Sequence, residues 1–185
     1  MKKVIICFLF IPLAVFPLLI TSCEKSKTED LPGDPVDIIT EPYQKEVIES
    51  ANRFAFDLFK PVLEGSKGAD NVMISPFSIT SALSMTLNGA AGETFNAIRN
   101  ALRMDDKTLQ EINETYLKLM TDMVPVDKRV VMEIANSVWI EKRLIVKQPF
   151  ITSLETWYKA ESHDIDVSDP NAVTIVNDWI AEKTH

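Results

Sequence analysis

Between Val130 and Ile140 the apolar residues fall two apart, whereas between Val47 and Met123 they recur at three and four. Val130, Met132, Ile134, Val138 and Ile140 alternate with Glu133, Ser137 and Glu141, and the other face still carries Val131, Ala135 and Trp139. Side chains of a strand point alternately to its two faces, so this run predicts a strand covered on both. Such a strand belongs inside a sheet, flanked by neighbours that satisfy its N–H and C=O groups. Helices precede it and helices mixed with strands follow it, which predicts an α+β class.

Upstream, Val47, Ile48, Ala51, Phe54, Ala55, Leu58 and Phe59 predict a helix with one apolar face, ended or kinked at Pro61. A short apolar strand, Val72-Met73-Ile74, is expected to stop at Ser75-Pro76. Pro76 suits the first turn of a helix capped by Ser75 or Ser78 and running to Asn88-Gly89. With Ile79, Ala82, Leu83, Met85 and Leu87 nearly all round, that helix is expected to be buried. Phe95 to Leu102 and Leu109 to Met123 predict two further helices, the second stopped by Pro125. Gln148-Pro149 opens a helix through Tyr158. His163, Ile165 and Val167 predict a short strand, and Asp169-Pro170 caps a last helix carrying Val173, Val176, Trp179 and Ile180.

The N-terminus reads as an address. Lys2-Lys3 precedes an uncharged apolar run, Val4 to Ile20, closed by Thr21-Ser22-Cys23 and an abrupt polar turn. That is the layout of an export signal over residues 1–22. A membrane-spanning helix is the rival, but the run is slightly short and Pro12 and Pro17 interrupt it. Ile20-Thr21-Ser22-Cys23 resembles the bacterial lipobox, whose cysteine becomes the lipid-bearing first residue; the alternative is a plain secretory signal. Lipid on Cys23 would seat the chain on a membrane without spanning it. Residues 23–44, with Pro32, Gly33, Pro35 and Pro42 among scattered charges, read as a flexible tether. The foldable part is then 45–185.

Composition narrows the chemistry. An apolar fraction of 46% argues against disorder, and a net charge of −8 offers no basic footprint for nucleic acid. Removing Lys2 and Lys3 with the signal leaves 17 basic and 27 acidic residues, a charge of −10 that anionic lipid repels, so any membrane attachment falls to the acyl group. Of the 2 cysteines, Cys7 would leave with the signal and Cys23 would carry lipid, so no thiol remains for catalysis, metal or a disulfide. No phosphate loop, dinucleotide fingerprint or nucleophile elbow occurs, and no cofactor, metal or catalytic residue is expected. Asp164 to Ile175 begins like a calcium loop but lacks the sixth-position glycine and twelfth-position glutamate. His163 reads as a packing residue, and Asn113-Glu114-Thr115 as a chance glycosylation sequon inside a helix.

Several ordered motifs go beyond packing. Asn71-Val72-Met73-Ile74-Ser75-Pro76-Phe77-Ser78-Ile79, Ala82 to Met85, Leu87 to Thr94 and Ile98 to Leu102 together resemble the N-terminal signature of the serpins. Ala135 to Lys142 resembles that family's long central strand, and Asn177 to Thr184 the helix crossing its main sheet. The resemblance implies a suicide-substrate inhibitor of serine, or sometimes cysteine, proteases. Cleavage of an exposed bait loop leaves the protease acylated, and the loop inserts into the main sheet as a new strand. Ser75, Pro76 and Ser78 align with the shutter beneath that sheet; Asn136 and Trp139 align with positions that shape its core and are expected to be structural. In such a protein the bait loop and the strands flanking its slot lie beyond the position matching His185. The 185 residues are therefore expected to be the N-terminal part of a longer domain, without a scissile bond, and alone to aggregate or stay molten. A serpin-like surface lipoprotein that binds without inhibiting is the competing expectation.

Overall fold

The computed structural model describes residues 33–68 and 71–184; the signal, Cys23 and the tether as far as residue 32 lie outside the described residues. The helices are α1 (Pro42–Gly65), α2 (Pro76–Leu87), α3 (Gly92–Ala101), α4 (Leu109–Asp122), α5 (Gln148–Tyr158) and α6 (Ala172–Thr184). The strands are β1 (Ser137–Glu141) and β2 (Glu161–Ile165). Local chemistry explains most of these limits. Thr108 caps α4 by accepting from the Glu111 N–H at 3.2 Å, while Glu111 returns a carboxylate to the Thr108 N–H at 2.8 Å. Prolines sit in the first turns of α1, α2 and α5, where the missing N–H costs nothing.

The core lies where α1, α2, α4 and α5 meet. Val47, Leu87, Leu102, Met104, Ile112, Tyr116, Leu154 and Tyr158 are essentially inaccessible to solvent. Full burial of an aliphatic side chain of this size contributes about 1.5–3 kcal/mol. Two left-handed residues shape the turns. Arg103 (φ 58°) follows α3, and Lys159 (φ 50°) closes α5, turning the chain directly into β2. Lys107 is buried at the α3–α4 turn and pairs with Glu46 of α1 and Asp106, which hold its ammonium above the usual lysine range.

Four expectations change. Pro61 does not end α1, which starts at Pro42 and runs on to Gly65; the proline forfeits one hydrogen bond on the outer side of an already half-exposed helix. Val72-Met73-Ile74 is extended but pairs with no strand among the described residues, and Met73 is 95% exposed. The period-two run is a strand only over its last part, Ser137–Glu141. Residues 131–135 precede it outside the two-stranded ladder, with Val131 90% exposed. β2 stops at Ile165, leaving Val167 outside, its N–H donating to Glu141 Oε2 at 2.8 Å. The three strand changes share a cause: a strand needs a neighbour to complete its ladder, and apolar alternation alone cannot supply one.

β1 and β2 form a two-stranded parallel sheet in register Ser137↔Glu161 to Glu141↔Ile165, with α5 as the crossover between them. Bonds at both ends extend the pairing: the Glu161 N–H donates to the Asn136 carbonyl and the Lys142 N–H to the Ile165 carbonyl, each at 2.9 Å. Among the described residues β1 is paired on one side only.

Candidate functional site

The start of α2 lies beneath the extended approach to β1. Ser75 is the N-cap: its Oγ accepts from the Ser78 N–H at 3.3 Å and stands 2.7 Å from the Ser78 hydroxyl. Pro76 fixes the first helical turn. The buried face of α2 is not the apolar surface its composition suggests. Thr80, Ser81 and Ser84 are buried beside Met85 and Leu87, while Ala82 faces solvent. Thr80 turns its hydroxyl back to the Pro76 carbonyl at 3.0 Å, but Ser81 Oγ and Ser84 Oγ have no hydrogen-bond partner among the described residues.

Between α2, residues 131–136 and the end of α6 runs a groove of about 630 Å³. Ser75, Ser78 and Ser81 line one wall, Ile134 and Asn136 another, and Trp179 and Ile180 the third. Up to residue 135, one side of this groove is backbone outside the two-stranded ladder. The arrangement can accept an extended chain along β1, with donors and acceptors on the strand side and small hydroxyls on the helix side.

The structure brings Ser75, Pro76 and Ser78 together at one end of α2 and places Asn136 across the groove from them. Asn136 Nδ2 donates to the Tyr158 carbonyl at 2.8 Å and to Met120 Sδ at 3.1 Å. Trp139 is the third residue of β1, opposite His163, donates from Nε1 to Ser137 Oγ at 2.9 Å and stacks on His163 with centroids 4.5 Å apart. It lies under α6 rather than in the groove, since Trp179 meets it edge-on at 6.2 Å.

Sequence reasoning missed the polar chain behind Asn136. The Tyr158 hydroxyl donates to Asn113 Oδ1 at 2.8 Å; Asn113 and Asn88 exchange amide bonds at 2.9 Å each; and Asn88 Nδ2 also donates to the Ser84 carbonyl at 2.9 Å. An Asn inside the apolar stripe of α4, beside Ile112, was the available signal. Asn113 is only 4% exposed and its side chain is fully engaged, so the sequon is a buried structural element. Burial pushes the Tyr116 phenol up to about 12, with Thr80 and Ser84 opposing, and raises Tyr158 further, helped by its neighbour Tyr116.

Residues 49–185 match the family described as Serpin (serine protease inhibitor). The chain belongs to the serpin family. It is 27% identical over 168 residues to a serpin-like protein of Thermococcus kodakarensis, covering 89% of this chain and 38% of that one. It is 34% identical over 142 residues to the leukocyte elastase inhibitor of Sus scrofa, covering 75% of this chain and 37% of the relative. Its fold superposes on human thyroxine-binding globulin in complex with its ligand with a TM-score of 0.70 at 25% identity, over 77% of this chain and 39% of that one. This serpin chain thus spans less than two fifths of the length of each of these proteins, and among the described residues it is helix-rich with two strands paired. Among the described residues no helix is long and apolar enough to cross a membrane.

Proposed function

We propose that this chain is the N-terminal part of a membrane-tethered, suicide-substrate inhibitor of serine, and in some cases cysteine, proteases. The observation that carries the reading is the groove along the unladdered approach to β1, walled by Ser75, Ser78 and Ser81, in a chain of the serpin family. A strand inserted into the main sheet gains main-chain hydrogen bonds, and that gain drives the trapping step. The protease serine attacks the bait-loop carbonyl, the amine side leaves, and the acyl-enzyme is carried off by loop insertion before water can release it. Short hydroxyls at Ser75 and Ser78 suit a shutter because they exchange partners between two strand arrangements without leaving a large cavity. Asn136 and Trp139 keep the strand approach and the sheet in place.

In this reading the scissile bond lies outside the 185 residues, and these residues alone do not inhibit. Cys23 bears the lipid, and the protein sits at a bacterial cell envelope, on its periplasmic or outer side. The test is incubation of the complete protein with trypsin-, chymotrypsin- and elastase-like proteases. The expected result is a covalent complex that survives denaturant; folded protein that yields none with the whole panel overturns inhibition. Cys23→Ala is expected to move the protein from the membrane fraction to the soluble one, and unchanged fractionation overturns the anchor.

A second reading is a serpin-like lipoprotein that binds a ligand at the surface without inhibiting. The superposition on a protein named for binding thyroxine favours keeping it, because the shared fold accommodates both an inhibitor and a binder by name. Small residues in the bait-loop hinge of the complete protein would favour inhibition, and bulky or charged ones binding.

A further inference from the structure

We propose that residues 33–41 are an orienting strap: docked along α4, they fix the point where the anchor chain leaves the body and so turn the 123–130 end of the molecule to the bilayer. The membrane half of this inference rests on the lipid at Cys23 proposed above; the docking does not. At its outer end the Val36 N–H donates to the Val126 carbonyl at 2.8 Å, in the turn that follows α4. One carboxylate holds that turn in shape: Asp127 accepts from the Arg129 backbone N–H at 2.9 Å and from its guanidinium at 2.8 and 2.6 Å. Asp34, on the strap, adds its charge to that of Asp127 around Arg129. Burial then alternates along the chain. Ile38 and Thr40 are half-buried whereas Asp37, Ile39 and Glu41 are exposed, the pattern of an extended segment lying with one face on a surface.

The inner end is fixed as well. The Glu41 N–H donates to Gln44 Oε1 at 2.9 Å, and the Tyr43 hydroxyl to Glu114 Oε2 at 2.9 Å, which fastens the first turn of α1 to α4. Between Glu114 and Asp122 α4 rises about 12 Å. The residues from Val36 to Tyr43 reach about 23 Å when extended, enough to lie along this half of α4 and cross to the turn beyond it. A tether free up to residue 41 would leave the body at the start of α1; the docked strap moves that exit to Val126. α1 runs the other way, since its Asp57 pairs with Arg103, ahead of the start of α4. Its 24 residues carry the chain about 36 Å from Pro42 to the turn at Lys67. Cys23 lies ten residues before Gly33, and a chain of that length has a root-mean-square span of about 16–19 Å. The lipid is therefore held near the 123–130 turn, where Val36 and Val124 offer exposed apolar surface to the headgroup boundary.

The test uses the complete protein. In solution, deuterium exchange resolved at the Val36 amide is expected to be about tenfold slower than in a free peptide of residues 23–44, as one partly covered hydrogen bond would give. Exchange at the peptide's rate overturns the strap, with or without lipid. The lipidated protein is then placed in phosphatidylcholine vesicles, and energy transfer to acceptor-labelled lipid is read from a dye on Lys128→azidophenylalanine or on Lys67→azidophenylalanine, both exposed positions. Transfer from position 128 is expected to exceed transfer from position 67 severalfold. Val36→Pro, which deletes the bonded N–H, is expected to narrow that gap without changing the melting temperature. Equal transfer from the two positions in the otherwise unaltered protein overturns the orienting role. Protein that carries no lipid removes the anchor and the orienting role together, while exchange at Val36 still decides the docking.

Discussion

Asn136 Nδ2 donates to the Tyr158 carbonyl oxygen at 2.8 Å, fastening the residue just before β1 to the last turn of α5. Tyr158 passes the connection on through its hydroxyl to Asn113, and Asn113 to Asn88 at the end of α2. The approach to the open strand edge is thus tied to the same helix whose other end carries Ser75. The Asn136 amide and the packing of Ile134 on the core hold this segment, whereas Val131 farther out is 90% exposed.

Asn136→Ala removes the partner of a carbonyl on a fully buried residue. Leaving such a group unpaired costs about 1–3 kcal/mol. Chemical denaturation of the complete protein should show a midpoint lowered accordingly at unchanged slope. A loss within measurement error would mean that water replaces the amide without penalty.

Alkali should act through Tyr116. Burial holds its folded-state phenol up to about 12, against about 10 for an exposed tyrosine. Above pH 10 the unfolded chain releases this proton while the folded chain keeps it, so stability is complete below pH 10 and falls as pH rises toward 12. The loss by the upper end is about 2–3 kcal/mol. Tyr116→Phe should flatten the decline of stability with pH in that window, and an unchanged slope would remove Tyr116 from the account.

The helices were legible in the sequence because their signals are local. Thr108 and Glu111 cap each other within one turn, and Gln148-Pro149 opens α5 where the spacing places it. What the sequence hid depends on partners distant in the chain. Val72-Met73-Ile74 and Val130 to Ala135 carry strand patterns, but a ladder needs a second strand, and only Ser137–Glu141 meets one, at Glu161–Ile165. The site divides in the same way. Ser75 and Ser78 are legible as a cap and as part of a family motif, whereas the role of Asn113 depends on Asn88 and Tyr158, 25 and 45 residues away in the chain.

Gly89 has no room for a side chain. A Cβ there would stand 2.9 Å from Phe150 Cε2 and 3.0 Å from Cδ2, so Gly89→Ala must displace the Phe150 ring from its place against the end of α2. Overpacking of this kind costs about 1–3 kcal/mol. Adding Phe150→Leu should recover part of it, because the clash disappears with the ring. A thermodynamic cycle over the two substitutions should therefore be non-additive, and strict additivity would place the cost elsewhere.

Ser75 and Ser78 separate a capping role from a shutter role. Ser75→Ala loses the acceptor for the Ser78 N–H and should lower stability by about 1 kcal/mol. Ser78→Ala keeps that N–H and gives up only an exposed hydroxyl contact, so its effect should stay within about 0.5 kcal/mol. If capping were the whole role, both variants of the complete protein would partition between trapped and cleaved inhibitor as the wild type does. The shutter reading requires both to shift that ratio toward cleaved product, because slower sheet opening gives water time to release the acyl-enzyme. A shift in Ser78→Ala without a matching loss of stability is the outcome that only the shutter explains.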